Sequence, residues 1–337
     1  MRRAWMTMAL CAFVLSLTGC EAPPEGSGRA AGGSKASTAA DPTETQQQQL
    51  AEARVATEAG DYDTALGMLR DILAENPTLT PAYLGIGDIY LLKKDYSNAE
   101  PAFARAARLA PRNFDAQYGH GVALQMLKRF AEAVKSYYRA LTIEPADVKA
   151  NLAMATTRLL MGEPGGATIF AEKAVELDPA NGPARVNLGA AYEQTGRYTD
   201  AIVQYEAAIE LMEPSAPLLL NYISVLAKDK RYLDAKNTAE FLVRIEPSAD
   251  GYERLGWAHF RLSEYDKSIE AYRKAVKLEP GHWQSHNGVG CNALNTWLLS
   301  KKRDRQAARE AKESFRRSLR LNPDQPSVVK VLTDYRL

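Results

Sequence analysis

The imidazole and thiol groups of this 337-residue sequence are four histidines and three cysteines, few enough to weigh one by one. His282 and His286 are four residues apart and would share one helix face, with Cys291 five residues further on. Zinc needs three or four converging ligands, and helical spacing does not bring Cys291 onto the His282/His286 face. These three therefore read as packing or surface residues, and no metal site is expected. His120 and His259 stand in an apolar helical register and are expected in the core. Gly288 and Gly290 do not make a phosphate loop, because no strand precedes them and no Lys or Ser/Thr follows at the required place. The sequence also lacks a nucleophile elbow, a paired carboxylate beside a base, and a cysteine cluster. The expectation is a chain with no catalytic residues and no cofactor, and not an enzyme.

The elements that would have to position any site recur with a period of about 34 residues from near residue 46 almost to the C-terminus. An alanine is followed by a large apolar residue, a small one and a proline, as in Ala99/Phe103/Ala106/Pro111 and Ala133/Tyr137/Ala140/Pro145. A unit of this size cannot bury its own apolar face, so neighbours must stack into a continuous core. Each unit reads as two amphipathic helices, the first marked by residues such as Tyr83, Ile86, Gly87 and Tyr90, the second by Ala99, Phe103 and Ala106. Glycines such as Gly60 and Gly196 suit the positive φ that closes a first helix. Glu144-Pro145, Asp178-Pro179 and Glu279-Pro280 close second helices. The turn Gly162-Glu163-Pro164-Gly165-Gly166 reads as stiff at Pro164 and loose after it. The eighth unit carries about nine extra residues around Trp297 to Asp304, so its first helix is longer or its turn enlarged. Val328, Val329, Val331 and Leu332 fall on a short helical register that would cap the last unit.

The first 45 residues stand apart. Arg2 and Arg3 precede an apolar run from Ala4 to Leu17, which reads as an export signal too short for a stable span. Removing residues 1 to 19 takes away two arginines and no acids, so the formal charge falls from +1 to −1 and gives no global pull toward nucleic acid. Glu21 to Gln49, ending in the glutamine run from Gln46, has almost nothing to bury and reads as flexible. Once Cys11 leaves with the signal and Cys20 is modified, Cys291 remains alone and no internal disulfide is available.

Two resemblances sharpen this reading. Leu17-Thr18-Gly19-Cys20 resembles the lipobox of bacterial lipoproteins, which implies that Cys20 is acylated and becomes the first residue of the mature chain. The repeats resemble the tetratricopeptide repeat family. Its small residue of the first helix falls on Gly87, Gly121, Ala155, Gly189, Gly256 and Gly290, and that of the second on Ala65, Ala99, Ala133, Ala167, Ala201, Ala235, Ser268 and Ala311. That resemblance implies an all-α fold, an alpha-alpha superhelix of about eight two-helix repeats with a C-terminal capping helix. The expected boundaries are a signal at 1–19, a tether at 20–45, repeats at 46–325 and the cap at 326–337.

The resemblance further implies that the second, fifth, ninth, twelfth and thirteenth positions of each repeat line a concave peptide-binding groove. Those positions hold Leu84, Asp88, Leu91, Leu92, Tyr118, Val122, Met126, Leu152, Thr156, Leu159 and Leu160, an apolar set for an open surface. Farther on, Asn187, Asn221, Glu253, Arg254, Trp257, Phe260 and Arg261 would form a more polar wall. The lysine, asparagine and arginine clamp that such repeats use for a chaperone's terminal carboxylate has no counterpart, because Leu84, Tyr118 and Val122 stand in its places. Residues 301–320 carry a charge of +6, open to an anionic lipid surface, an acidic protein or solvent alone. The expected function is a lipid-anchored scaffold of the bacterial cell envelope that binds an envelope protein or peptide and no nucleic acid, in assembly of an envelope complex. The alternative is an adaptor or regulator of a cell-wall enzyme. Glu21 after the lipidated position favours the outer membrane, facing the periplasm.

Overall fold

The computed structural model describes residues 41–337, which form helices and no strand. The signal segment, the lipobox with Cys20, and residues 21–40 of the tether lie outside the described residues. The helices pair in chain order into eight repeats. They are α1 (Glu44–Glu58) with α2 (Tyr62–Glu75), α3 (Thr80–Leu92) with α4 (Tyr96–Leu109), α5 (Phe114–Met126) with α6 (Phe130–Ile143), and α7 (Val148–Leu160) with α8 (Pro164–Leu177). Then come α9 (Gly182–Gln194) with α10 (Tyr198–Leu211), α11 (Ala216–Lys228) with α12 (Tyr232–Ile245), α13 (Ala249–Arg261) with α14 (Tyr265–Leu278), and α15 (Trp283–Leu299) with α16 (Arg305–Leu321). The short α17 (Pro326–Asp334) follows. The chain divides into two compact units, the first ending at Ala191 and the second running Tyr192–Leu337. Each is built of stacked helix pairs, the all-α solenoid architecture that the periodicity predicts.

Three boundaries differ from expectation. The repeats are expected from residue 46 and α1 starts two residues earlier, at Glu44, so the glutamine run whose composition reads as flexible is helical; Thr43 and Gln46 form a reciprocal capping box that satisfies the first free amides of α1. Pro164 is the first residue of α8, where its fixed φ suits the helix and its missing N–H costs nothing, so Gly165 and Gly166 are helical and not loose. In the eighth repeat both helices are lengthened, to 17 residues each, together with their turn.

The turn inside each repeat closes in one way. The backbone N–H of Asp95 donates to Tyr90 O at 2.8 Å, that of Arg129 to Leu124 O at 2.9 Å and that of Glu163 to Arg158 O at 2.9 Å, six-residue returns that need a left-handed residue just before the donor. Glycine supplies it at Gly60 and Gly162, but Lys94 and Lys128 take the same left-handed conformation, at φ 56° and 60°. Asn113 and Asp147 then start the next repeat by accepting from the amides of Ala116 and Ala150.

Within a repeat, the second helix lays an aromatic ring on a glycine of the first. A Cβ built on Gly87 would stand 2.7 Å from Phe103, on Gly121 2.6 Å from Tyr137, on Gly256 2.9 Å from Tyr272 and on Gly290 2.7 Å from Phe315. The same rings also press on the next repeat, Phe103 on Gly119 and Tyr272 on Gly288. By contrast Gly67, inside α2, faces open space. Gly121→Ala is therefore expected to destabilise its repeat by about 1–3 kcal/mol through overpacking. Gly67→Ala should stabilise α2 by up to about 1 kcal/mol through helix propensity alone. Repeat arrays need not unfold in one step, so the measurement is amide hydrogen exchange in α5, α6 and α2 separately. Undiminished protection of α5 and α6 in Gly121→Ala would show that the ring is not wedged.

Candidate functional site

In two repeats a buried tyrosine of the second helix directs its hydroxyl at the twelfth position of the first helix. Tyr137 is fully buried, and its hydroxyl donates to Gln125 Oε1 at 2.7 Å; Thr157 of the next repeat donates to the same oxygen at 3.1 Å. Two repeats on, the buried Tyr205 donates to Glu193 Oε2 at 3.2 Å, while Ser224 and Lys228 reach Glu193 Oε1 at 2.8 Å each. Burial pushes both phenols well above their ordinary pKa, so they remain donors. Where the twelfth residue is leucine the contact is apolar. Leu91 packs half-buried on Ala99, Phe103 and Ala123, and Leu159 on Ala167 and Ala191.

The twelfth position is thus a seam between repeats. Leu159, expected in the groove, is only 5% exposed and belongs to the core, because the alanines beneath it leave room for its side chain. Leu84 is half-buried against Ala106, Ala107 and Ala116. Tyr118 stacks on Phe114 at 5.7 Å and leans on Tyr137 at 5.8 Å, and Val122 and Leu152 are half-buried, Val122 beside Tyr137. Thr156 accepts a hydrogen bond of 2.6 Å from Asn187 Nδ2, joining two expected site residues of successive repeats.

The thirteenth position is different. Leu92, Met126 and Leu160 are 44%, 42% and 36% exposed, one at the end of each first helix of repeats two to four. Their common register in stacked repeats sets them in one row of the first unit. Asp88, one turn back on α3, opens to solvent beside this row. Crowding by the surrounding helices, with Asp115 adding repulsion, pushes its carboxyl up to about 7, although the water that reaches it works against that rise.

In the second unit, Trp257 and Arg261 come together with a residue the sequence did not single out. Tyr232 meets Trp257 edge-on at 5.7 Å, accepts a hydrogen bond from Arg261 Nη2, and lies under the guanidinium at 4.3 Å. Tyr232 is the aromatic that opens a second helix, a position whose residue type alone does not tell a packing ring from a member of a polar cluster. Asn221 is half-buried on α11. Glu253 pairs with Arg254 at 3.5 Å, and burial raises its carboxyl pKa.

The histidines hold structural partners. His259 is buried with Nδ1 2.6 Å from Glu264, and His120 is half-buried between Ser136 at 3.2 Å and Glu100 at 3.4 Å. His282 bridges Ser285 at 2.7 Å and Asp250 at 3.1 Å, while His286 faces Pro280 O at 3.0 Å. Among the described residues no group of three His, Cys, Asp or Glu converges as metal ligands. Cys291 is a free thiol at the surface whose pKa is raised by desolvation, the opposite of nucleophile activation.

Two consequences can be measured. Tyr137→Phe should cost about 1 kcal/mol, since Gln125 keeps Thr157 as a donor, and it should loosen exchange in α5 and α6. For Asp88 the folded pKa exceeds the unfolded one. Its stabilising contribution is present below the unfolded value of 3.8 and is lost as pH rises through about 7. Asp88→Asn should therefore stabilise the protein relative to the parent at pH 8 and leave it unchanged below about pH 4 in thermal melts; equal effects at both would show an unperturbed carboxyl.

Tetratricopeptide repeat models match residues 50–112, 95–148, 170–203 and 249–282. No curated protein matches the chain. Among solved structures it is similar to PilF of Pseudomonas aeruginosa, at 19% identity over 60% of this chain and 91% of that one, with a TM-score of 0.52. It is also similar to PilW, a widely conserved type IV pilus biogenesis factor, at 21% identity over 60% and 94%, TM-score 0.53. A third is the C-terminal part of a TPR repeat-containing protein from Cytophaga hutchinsonii, at 15% identity over 71% and 98%, TM-score 0.57. At these identities the likeness is one of fold. The matches over 50–148 and 249–282 take in the pairs α3/α4, α5/α6 and α13/α14, in each of which a ring rests on a glycine, and the chain belongs to the tetratricopeptide repeat family.

Proposed function

We propose that the chain is a lipid-anchored scaffold of the bacterial cell envelope. It binds a protein or peptide partner through the first-helix face of repeats two to four, in assembly of an envelope complex. The observation that carries the binding face is the row of Leu92, Met126 and Leu160, apolar side chains held open in one register by a seam that buries their neighbours. Rows of this kind take up the apolar side chains of a helix or extended segment. The anchor rests on the sequence Leu17-Thr18-Gly19-Cys20 behind its apolar run. A repeat array of the same fold serves type IV pilus biogenesis in PilW, which gives the assembly reading a precedent.

Two experiments test the parts separately. Palmitate labelling of the parent chain but not of Cys20→Ala, followed by membrane fractionation, is expected; label retained in Cys20→Ala would refute the anchor. For the face, Leu92→Asp with Met126→Asp changes only open positions, so the fold should survive. Capture from solubilised envelope should recover a partner with the parent and at least about tenfold less with the double variant, since each buried aliphatic side chain is worth about 1.5–3 kcal/mol. Unchanged recovery would remove this row from the binding site.

A further inference from the structure

We propose that the outer face of the last repeat is a docking surface for an anionic phospholipid bilayer. It involves other residues than the first-helix face above, and the inference does not rest on that reading. Helix α16 buries Ala307, Ala311, Phe315 and Ser318. At about 100° per residue, Arg305, Arg309, Lys312, Arg316 and Arg320 then fall within roughly 80° of arc on the side away from that core, along about 25 Å of helix. No acid shares the arc. Glu310 lies on the flank toward α14, where it pairs with Arg273 at 2.6 Å, and Glu313, Gln306 and Arg317 occupy the angle between. None of the five cations on the arc takes part in an ion pair, whereas Lys330 on the neighbouring α17 is paired with Asp334 at 2.7 Å.

The end of this stripe is apolar. Leu299 closes α15 with 70% of its surface exposed, the most open of the large apolar side chains among the described residues. In the same last turn of α15, Trp297 meets Tyr335 edge-on at 6.4 Å, which ties the end of α17 to the end of α15, and Lys302 Nζ lies 5.5 Å from the Trp297 ring. Lys301, Lys302 and Arg303 follow in a turn with two consecutive left-handed residues, Lys301 and Lys302, and Arg305 begins the stripe. An open aliphatic side chain, an amphipathic aromatic pair and a cluster of cations at one end of the repeat suit the boundary of a bilayer, where Leu299 enters the acyl region and the cations meet phosphates. An acidic protein would present carboxylates at fixed places among apolar contacts. An unbroken cationic arc with neither acid nor amide in it answers instead to a laterally mobile field of lipid phosphates.

The test is hydrogen exchange of the full chain on vesicles, read in peptides from residues 297–320, so that attachment at the N-terminus does not enter the signal. Vesicles of phosphatidylcholine with about one third phosphatidylglycerol should slow exchange of the 297–305 turn at least several-fold, and raised salt should reverse this. Pure phosphatidylcholine should not slow it. Each cation at such a surface is worth about fivefold in affinity, so Arg305→Glu with Arg309→Glu and Arg316→Glu should weaken the vesicle affinity more than tenfold and so remove the protection at the same lipid concentration. Leu299→Asp should weaken it as well. Unchanged exchange of residues 249–282 in these variants would show that the fold persists. No slowing on anionic vesicles, or equal slowing on neutral ones, overturns the proposal. Slowing by poly-glutamate but not by vesicles would assign the face to an acidic protein and overturn it too.

Discussion

The structure depends on an aromatic ring packed against a glycine of the neighbouring helix. A first helix with glycine at its eighth position lets the second helix approach until Phe103, Tyr137, Tyr272 or Phe315 fills the space a Cβ would occupy, which fixes the distance and register of the pair together. Phe103 and Tyr272 also press on a glycine of the following repeat, so the contact that makes a repeat is the contact that stacks it. Where the ring is missing, the volume is restored by other means. In the sixth repeat the glycine's register position is Ile223 and the ring's is Ala239, and both are completely buried, a large residue exchanged for a small one at the corresponding places.

Burying tyrosine in place of phenylalanine adds a polar condition. A hydroxyl inside a packed seam must find an acceptor or carry a desolvation penalty, and Gln125 and Glu193 at the twelfth position supply one. Each also accepts from the next repeat, so one side chain links three helices. With the twelfth residue turned into the seam, the thirteenth is left outside. The exposure of Leu92, Met126 and Leu160 therefore follows from how the core is satisfied.

This also explains which parts of the sequence were legible. Alanines, aromatics and prolines in phase report volume, and volume alone determines helix pairing, so the repeats and their order could be read directly. The groove could not be read to the same depth. Leu91 and Leu159 are the same residue at the same register, and both look available from periodicity; their burial depends on alanines from the second helix and from the next repeat, Ala99 and Ala123 for one, Ala167 and Ala191 for the other. Tyr232 was hidden for a related reason. Its ring opens a helix as its equivalents do, and only the approach of Trp257 and Arg261 makes it part of a polar cluster. The left-handed turns show a further limit, since Lys94 and Lys128 adopt a backbone that the sequence marks only where glycine occurs.

Nearest-neighbour stacking lets one repeat change its surface without disturbing the others. The eighth repeat keeps the internal contact, Phe315 on Gly290, and its far side is closed by Gln325, whose amide donates to Ser318 O at 3.1 Å and Asn322 O at 2.7 Å before α17 begins. Those hydrogen bonds hold Val328 over the end of the core beside Ala293, Ala311 and Phe315. A repeat sealed in this way needs no further apolar partner, so the remaining surface of α16 is free to carry charge. Longer helices and an enlarged turn then extend that surface beyond the length of the other repeats, and the added residues are the ones that bring Leu299 and the lysines together. The insertion that departs most from the repeat pattern is thus the part of the fold least constrained by packing, where a second interaction surface can arise at little cost to the first.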